Sequence, residues 1–152
     1  RFHLSSEKGI EKLETELKST LKSDYKRTER TAATVNRLKR NVKLSEQIKD
    51  LYDFKCQVCN TYLKTPYGGI AIGAHIKGLG NPHNGPDVLE NMICLCPNHH
   101  EQFDDYGYYI EPNTLEIKGL EKFEGKKITI NKKHKIDKEL LKYHYEQFKK
   151  NN

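Results

Sequence analysis

Two short pairs of metal-binding side chains constrain this chain more than any other feature. Cys56-Gln-Val-Cys59 and Cys96-Pro-Asn-His99 each set two donors two residues apart, and the pairs lie far from one another in sequence. Four soft or borderline donors with those gaps suit a closed tetrahedral zinc site. The chain has 4 cysteines. Without a secretory context, a metal site is a better use for them than two disulfides. Such a site would tie two remote segments together, and the chain needs the tie. Hydrophobic residues are 35% and charged residues 32% of its 152 residues, so the apolar core is thin. Cys94 is an alternative to Cys96 on the same predicted strand. A pair closes best as Cys96 and His99, which leaves Cys94 as a small core residue.

The hydrophobic pattern divides the chain. Ile10, Leu13, Leu17 and Leu21 recur at helical steps and predict a helix over 4–24, with Ser5 or Ser6 as its cap. Further helical stretches are expected at 31–39 and 45–52. The pattern changes at Phe54, where short segments punctuated by Gly and Pro begin. A domain boundary is placed there, with a basic helical extension over 1–50 and a second domain over 51–152. Within that domain, short strands are predicted at 70–75, 92–95, 108–110, 115–117 and 128–130. A Gly/Asn/Pro-rich loop spans 77–86. Pro97 is suited to the first turn of a helix running to about residue 105. Asp137 is expected to cap a final helix with Leu140, Leu141, Tyr145 and Phe148 on its inner face.

The formal net charge is +6, and residues 1–50 hold most of the excess, with 13 Lys/Arg against 8 Asp/Glu. That imbalance suits an acidic polymer as partner. Arg27, Arg30, Arg37, Lys39 and Arg40 form a basic stretch fitted to DNA phosphates, or equally to a solvated linker face. No apolar run has the length of a membrane span, and no signal-peptide pattern opens the chain. A cytoplasmic protein is therefore expected. A chain that opens on Arg1 reads as a piece of a longer one.

A second group of polar residues surrounds the cysteine knuckle. His75 ends the first of the two central strands, Asn91 begins the second, and His100 follows a zinc-ligand candidate on the helix. Neighbours on a helix point about 100° apart, so His99 and His100 cannot serve the same ion. A histidine at a strand end is suited to general-base work near neutral pH. A histidine on a facing helix is suited to a divalent cation, and Asn91 to fixing the loop or orienting the base. A base beside a cation is the arrangement that hydrolyses a phosphodiester.

Together, Cys56-x2-Cys59, Ala74-His75-Ile76, Glu90-Asn91 and Leu95-Cys96-x2-His99-His100 resemble the HNH endonucleases, the zinc-supported branch of the ββα-metal nucleases. The resemblance covers about residues 52–110. Leu51 to Cys59, Gly80 to Asp87 and the tail around His134 and His144 are similar to the C-terminal HNH domains of modification-dependent restriction enzymes, which carry an upstream reader of modified DNA. The resemblance implies an α+β fold: a small zinc-supported ββα-metal core, an N-terminal helical extension, and C-terminal strands plus a helix. It also implies roles. His75 is the general base, Asn91 positions its loop, and His100 binds Mg2+ or Mn2+. Cys56, Cys59, Cys96 and His99 hold structural zinc. The expected substrate is DNA, double-stranded and modified, with an upstream recognition domain outside this chain and a homodimer through the leucine stripe as a further expectation. One position departs from the pattern: Ala74 stands where many members carry a second cation ligand. Asp87 or His83 is a candidate to assist, although Asp87 is better read as a turn residue. The alternative is a catalytically degenerate zinc module that binds DNA or protein.

Overall fold

The computed structural model describes residues 11–17 and 42–152, which fall in two separate compact units. In the first unit, residues 11–17 form a helix, α1, with Leu13 and Leu17 exposed. The rest of the helix expected over 4–24, the whole of the one expected over 31–39, and the basic residues Arg27, Arg30, Arg37, Lys39 and Arg40 lie outside the described residues. No described helix is long and apolar enough to cross a membrane.

The second unit is built around one hairpin and one helix. Strand β3 (Ile72–His75) pairs antiparallel with β4 (Met92–Leu95), with Ile72 opposite Leu95 and His75 opposite Met92. Helix α3 (Pro97–Asp104) follows β4 directly. Cys96 is its N-cap and Pro97 its first residue, where a missing N–H costs nothing. Helix α2 (Val42–Leu51) lies across the hairpin and belongs to the same compact unit. Its Ile48 is fully buried with Tyr52, Met92 and Cys94. Gly73 allows that approach, since a Cβ there would stand 2.9 Å from both Ile48 Cγ2 and Ser45 Oγ.

The strand expected over 70–75 is two strands. β2 (Gly68–Ile70) pairs with β1 (Leu63–Thr65) in a separate hairpin, and the chain leaves that ladder at Ala71 before starting β3. The apolar run Ile70–Ala74 hides the break because both halves are extended. The last short strands also shift. β5 (Tyr109–Ile110) pairs with β6 (Ile117–Lys118). The stretch 128–130 is not a strand: Lys127 makes a single bridge to Glu116, and Ile128 and Thr129 donate to Leu115 O and Gln57 O. Too few partners line up there to make a ladder.

The final helix, α4 (Lys138–Asn151), begins as expected. The Asp137 carboxylate accepts from Glu139 N at 2.9 Å. Leu140, Leu141 and His144 are buried, while Tyr145 and Phe148 are half-buried against Tyr109, with ring centroids 4.5 and 4.8 Å away. The main core gathers Ile93, Leu95, Phe103, Tyr108, Ile110, Ile117 and Leu141 between the hairpin, α3 and α4. Gln57, inside the first ligand pair, is also buried and fully used. Its side-chain oxygen accepts from Cys94 N and its amide donates to Thr129 O, both at 2.8 Å. A buried amide satisfied at both ends ties the knuckle to β4 and to the tail.

Candidate active site and metal centre

The knuckle is a tight turn. Asn60 donates from its backbone to Cys56 O at 2.8 Å and takes φ 58°, a left-handed conformation that asparagine tolerates well. This turn brings Cys56 and Cys59 to one side. The end of β4 and the first turn of α3 bring Cys96 and His99 to meet them. All four donor atoms lie within 4.8 Å of one another. Cys59 Sγ and Cys96 Sγ are 3.9 Å apart, and His99 Nδ1 lies 3.3 Å from Cys96 Sγ and 3.7 Å from Cys56 Sγ. A tetrahedral zinc centre has edges of ~3.8 Å between sulfurs and ~3.6 Å between sulfur and nitrogen, from its bond lengths. The donor set therefore fits such an ion in type and in spacing.

The surroundings fit it as well. Burial lowers the pKa of His99, which favours the neutral ring that a metal needs. Burial pushes the Cys56 thiol up to about 12, so its thiolate is costly unless a cation compensates. Tyr108, buried against Phe103, donates its hydroxyl to His99 O at 2.9 Å and steadies the turn that carries His99. Cys94 is fully buried in the cluster under α2 and stands apart from the four donors. It is a core residue because the chain turns at Cys96, where the strand ends and the helix is capped.

On the other side of α3 a second group assembles. His75 closes β3, and its Nε2 lies 3.0 Å from Asp87 Oδ1. Asn91 is fully buried just before β4. Its side-chain oxygen accepts from Lys77 N at 2.8 Å, and its amide donates to Lys77 O at 2.9 Å and to Pro86 O at 2.8 Å. One side chain thus clamps both ends of the 77–86 loop. Lys77 is two residues after His75, and Pro86 immediately precedes Asp87, so the clamp fixes both partners of the His75–Asp87 contact. Gly85 closes the loop tightly: its N–H reaches Gly78 O at 2.7 Å, and a Cβ there would collide with the Lys77 carbonyl.

His100 Nε2 lies 3.0 Å from Asp104 Oδ2, one helical turn further along α3. Asp104 and His75 line a common cavity of about 250 Å³, with His83, Phe103, Tyr106 and His144 among its walls. His83 is held there by Tyr143, whose hydroxyl meets Nδ1 at 2.5 Å. His134 and His144 lie buried in the tail, His134 between Tyr52 OH and Leu89 O and His144 donating to Phe103 O.

The structure thus gathers the four cysteine and histidine donors in one place and turns His100 away from them. It sets Asn91 behind the loop that carries His75. Sequence reasoning missed Asp87 as the partner of His75. The signal was present, since Asp87 ends the same loop that starts beside His75, but a Gly-Pro-Asp turn accounted for it locally.

Residues 56–111 match the family model described as HNH endonuclease. Among solved structures, the chain is similar to a "Modification dependent TagI restriction endonuclease", with 34% sequence identity and a TM-score of 0.67. That likeness covers 74% of this chain and 40% of the TagI chain, so this chain spans less than half of the enzyme it resembles. No curated protein matches. The hairpin and the helix that carry the motif lie within the residues that match the HNH endonuclease model, so this part of the chain is similar to that family.

Proposed function

We propose that the chain is the nuclease part of a restriction-type enzyme, hydrolysing phosphodiester bonds of double-stranded DNA with His75 as general base. Supporting this is the placement of His75 and Asp104 on one cavity, with His100 a helical turn from Asp104 and His99 turned to the opposite cluster. Asp87 accepts the Nε2 proton of His75 and leaves the Nδ1 lone pair to take a proton from the attacking water. Asn91 holds both ends of the loop, so base and orienting carboxylate move together or not at all. His100 is the residue that would hold Mg2+ or Mn2+. Bound there, the cation would stabilise charge on the phosphate and the leaving oxygen. Cys56, Cys59, Cys96 and His99 would hold zinc, which offsets the thin core by joining the knuckle to α3.

The TagI relative is named as a modification-dependent enzyme. By analogy, the DNA cut by this chain is modified, and its recognition rests with a domain beyond the residues described. Lys77, whose ammonium lies 4.4 Å from the centre of the Tyr143 ring beside His83, supplies positive charge near the cavity. Incubation of the zinc-loaded chain with supercoiled plasmid and Mg2+ or Mn2+ tests this reading. Nicking or linearisation that EDTA abolishes is expected. Plasmid that is bound but never cut, with both metals and on modified as well as unmodified DNA, would instead assign the chain to a degenerate zinc module.

A further inference from the structure

The loop between His75 and Asp87 carries a second histidine, His83, whose side chain lines the same cavity as His75. Its Nδ1 meets the hydroxyl of Tyr143, a residue of the final helix α4, at 2.5 Å. We propose that His83 is a substrate-binding residue: its Nε2–H donates to a non-bridging oxygen of the scissile phosphate, and Tyr143 positions it by donating to Nδ1. This rests on the nuclease reading above and names the group that holds the phosphate against the base.

Three observations lead there. First, the backbone fixes where this ring sits. His83 N and Asn84 N both donate to Gly80 O at 3.0 Å, and Gly85 N donates to Gly78 O at 2.7 Å, so the loop closes on itself around His83. The Asn91 side chain bonds to both ends of that loop, which keeps His83 and His75 in a fixed relation. Second, Tyr143 is itself held. The Lys77 ammonium lies 4.4 Å from the centre of its ring, and the His83 and Tyr143 rings meet edge-on at 83° with centroids 5.6 Å apart. Third, the hydrogen bond selects the chemistry. A phenol is the stronger donor of this pair and an imidazole nitrogen the stronger acceptor, so the hydroxyl proton points to Nδ1 and the ring proton stays on Nε2. Nε2 has no hydrogen-bond partner among the described residues, which leaves its N–H to the cavity. A nitrogen that carries a proton cannot ligate a cation, so His83 is a donor to phosphate and not a metal ligand. A preorganised donor gains most as charge grows on the phosphate oxygens during attack. Tyr143 lies outside the matched stretch 56–111, so α4 becomes part of the reaction site.

The test combines kinetics with the state of the ring. His83→Ala, Tyr143→Phe, the double variant and Glu146→Gln, a control on the same helix that pairs with Lys149, are compared with the unsubstituted zinc-loaded chain in plasmid cleavage at saturating Mg2+. Zinc content, melting temperature and DNA affinity in EDTA are read in parallel. We expect kcat to fall on the order of 10²-fold in His83→Ala, as for the loss of one preorganised donor, and about fivefold in Tyr143→Phe, the worth of one ordinary hydrogen bond. KM, DNA affinity and zinc content should change little, and Glu146→Gln should match the unsubstituted chain. In the double variant the loss of the Tyr143 hydroxyl should add nothing, because it acts only through His83. Long-range proton–nitrogen NMR spectra of the imidazoles in mildly alkaline buffer should show the His83 proton on Nε2, with that preference weakened in Tyr143→Phe. Unchanged kcat in a folded His83→Ala protein, a ring proton on Nδ1, or an equal loss from Tyr143→Phe with and without His83 would overturn the proposal and leave the nuclease reading intact. If the unsubstituted chain cuts no plasmid with Mg2+ or Mn2+, the nuclease reading itself fails and the proposal falls with it.

Discussion

His75 and Asp87 meet at 3.0 Å across the neck of a ten-residue loop, and the buried side chain of Asn91 bonds to the backbone at both ends of that loop. The middle letter of the motif is thereby given a physical task. Asn91 does not reach the cavity that His75 lines. It holds His75 and its carboxylate partner in register, and its own burial is tolerable because its amide donates twice and its oxygen accepts once.

Asp87→Asn should therefore retain fold and zinc while slowing cleavage. Asparagine keeps an acceptor oxygen but loses the charge that stabilises the imidazolium formed as His75 takes up a proton. The loss should be smaller than the roughly 10²–10⁴ of removing a general base, and should appear in kcat more than in KM. Unchanged kcat in a folded Asp87→Asn protein would make the contact a turn feature without a part in the reaction.

The adjacent histidines give a sharper contrast. His99→Ala removes a donor from the Cys56, Cys59 and Cys96 cluster and should release zinc and lower the melting temperature steeply. Structural zinc contributes on the order of 10 kcal/mol of coupled folding free energy, and Cys59→Ala should do similar damage. His100→Ala should keep zinc content and melting temperature while losing cleavage. Metal analysis and thermal melts of the two variants decide the matter, and exchanged phenotypes would reverse the assignment of the two sites.

His144 makes stability depend on acid. It is 2% exposed and stacked on Phe103 with ring centroids 3.7 Å apart, and burial lowers its pKa to about 4 from an ordinary 6.5. Between those values the unfolded chain binds the proton and the folded chain does not, so stability is full above pH 6.5 and declines as pH falls toward 4. The loss is on the order of 3 kcal/mol. Urea midpoints measured across that range should fall less steeply for His144→Gln than for the unsubstituted chain. Parallel slopes would remove His144 as the cause.

Much of this site was legible because metal-ligand spacing is a local property. Cys56 to Cys59 and Cys96 to His99 are each held within one turn, so sequence alone could place them. The 100° offset between His99 and His100 follows from helix geometry in the same way. The break at Ala71 was not legible, since extended backbone on either side of it has the same composition and only partner choice separates β2 from β3. The pairing of His75 with Asp87 depends on loop closure through Asn91, a long-range contact no local pattern reports.

In the proposed reaction a protein base, His75, acts together with the bound metal. The most direct measurement is the plasmid-cleavage rate of His75→Ala in saturating Mg2+, with zinc content and melting temperature verified on the same preparation. The account predicts a folded, zinc-loaded protein that still binds DNA through its lysines and arginines and cleaves roughly 10²–10⁴ times more slowly. Cleavage by that protein at near the unsubstituted rate would contradict it.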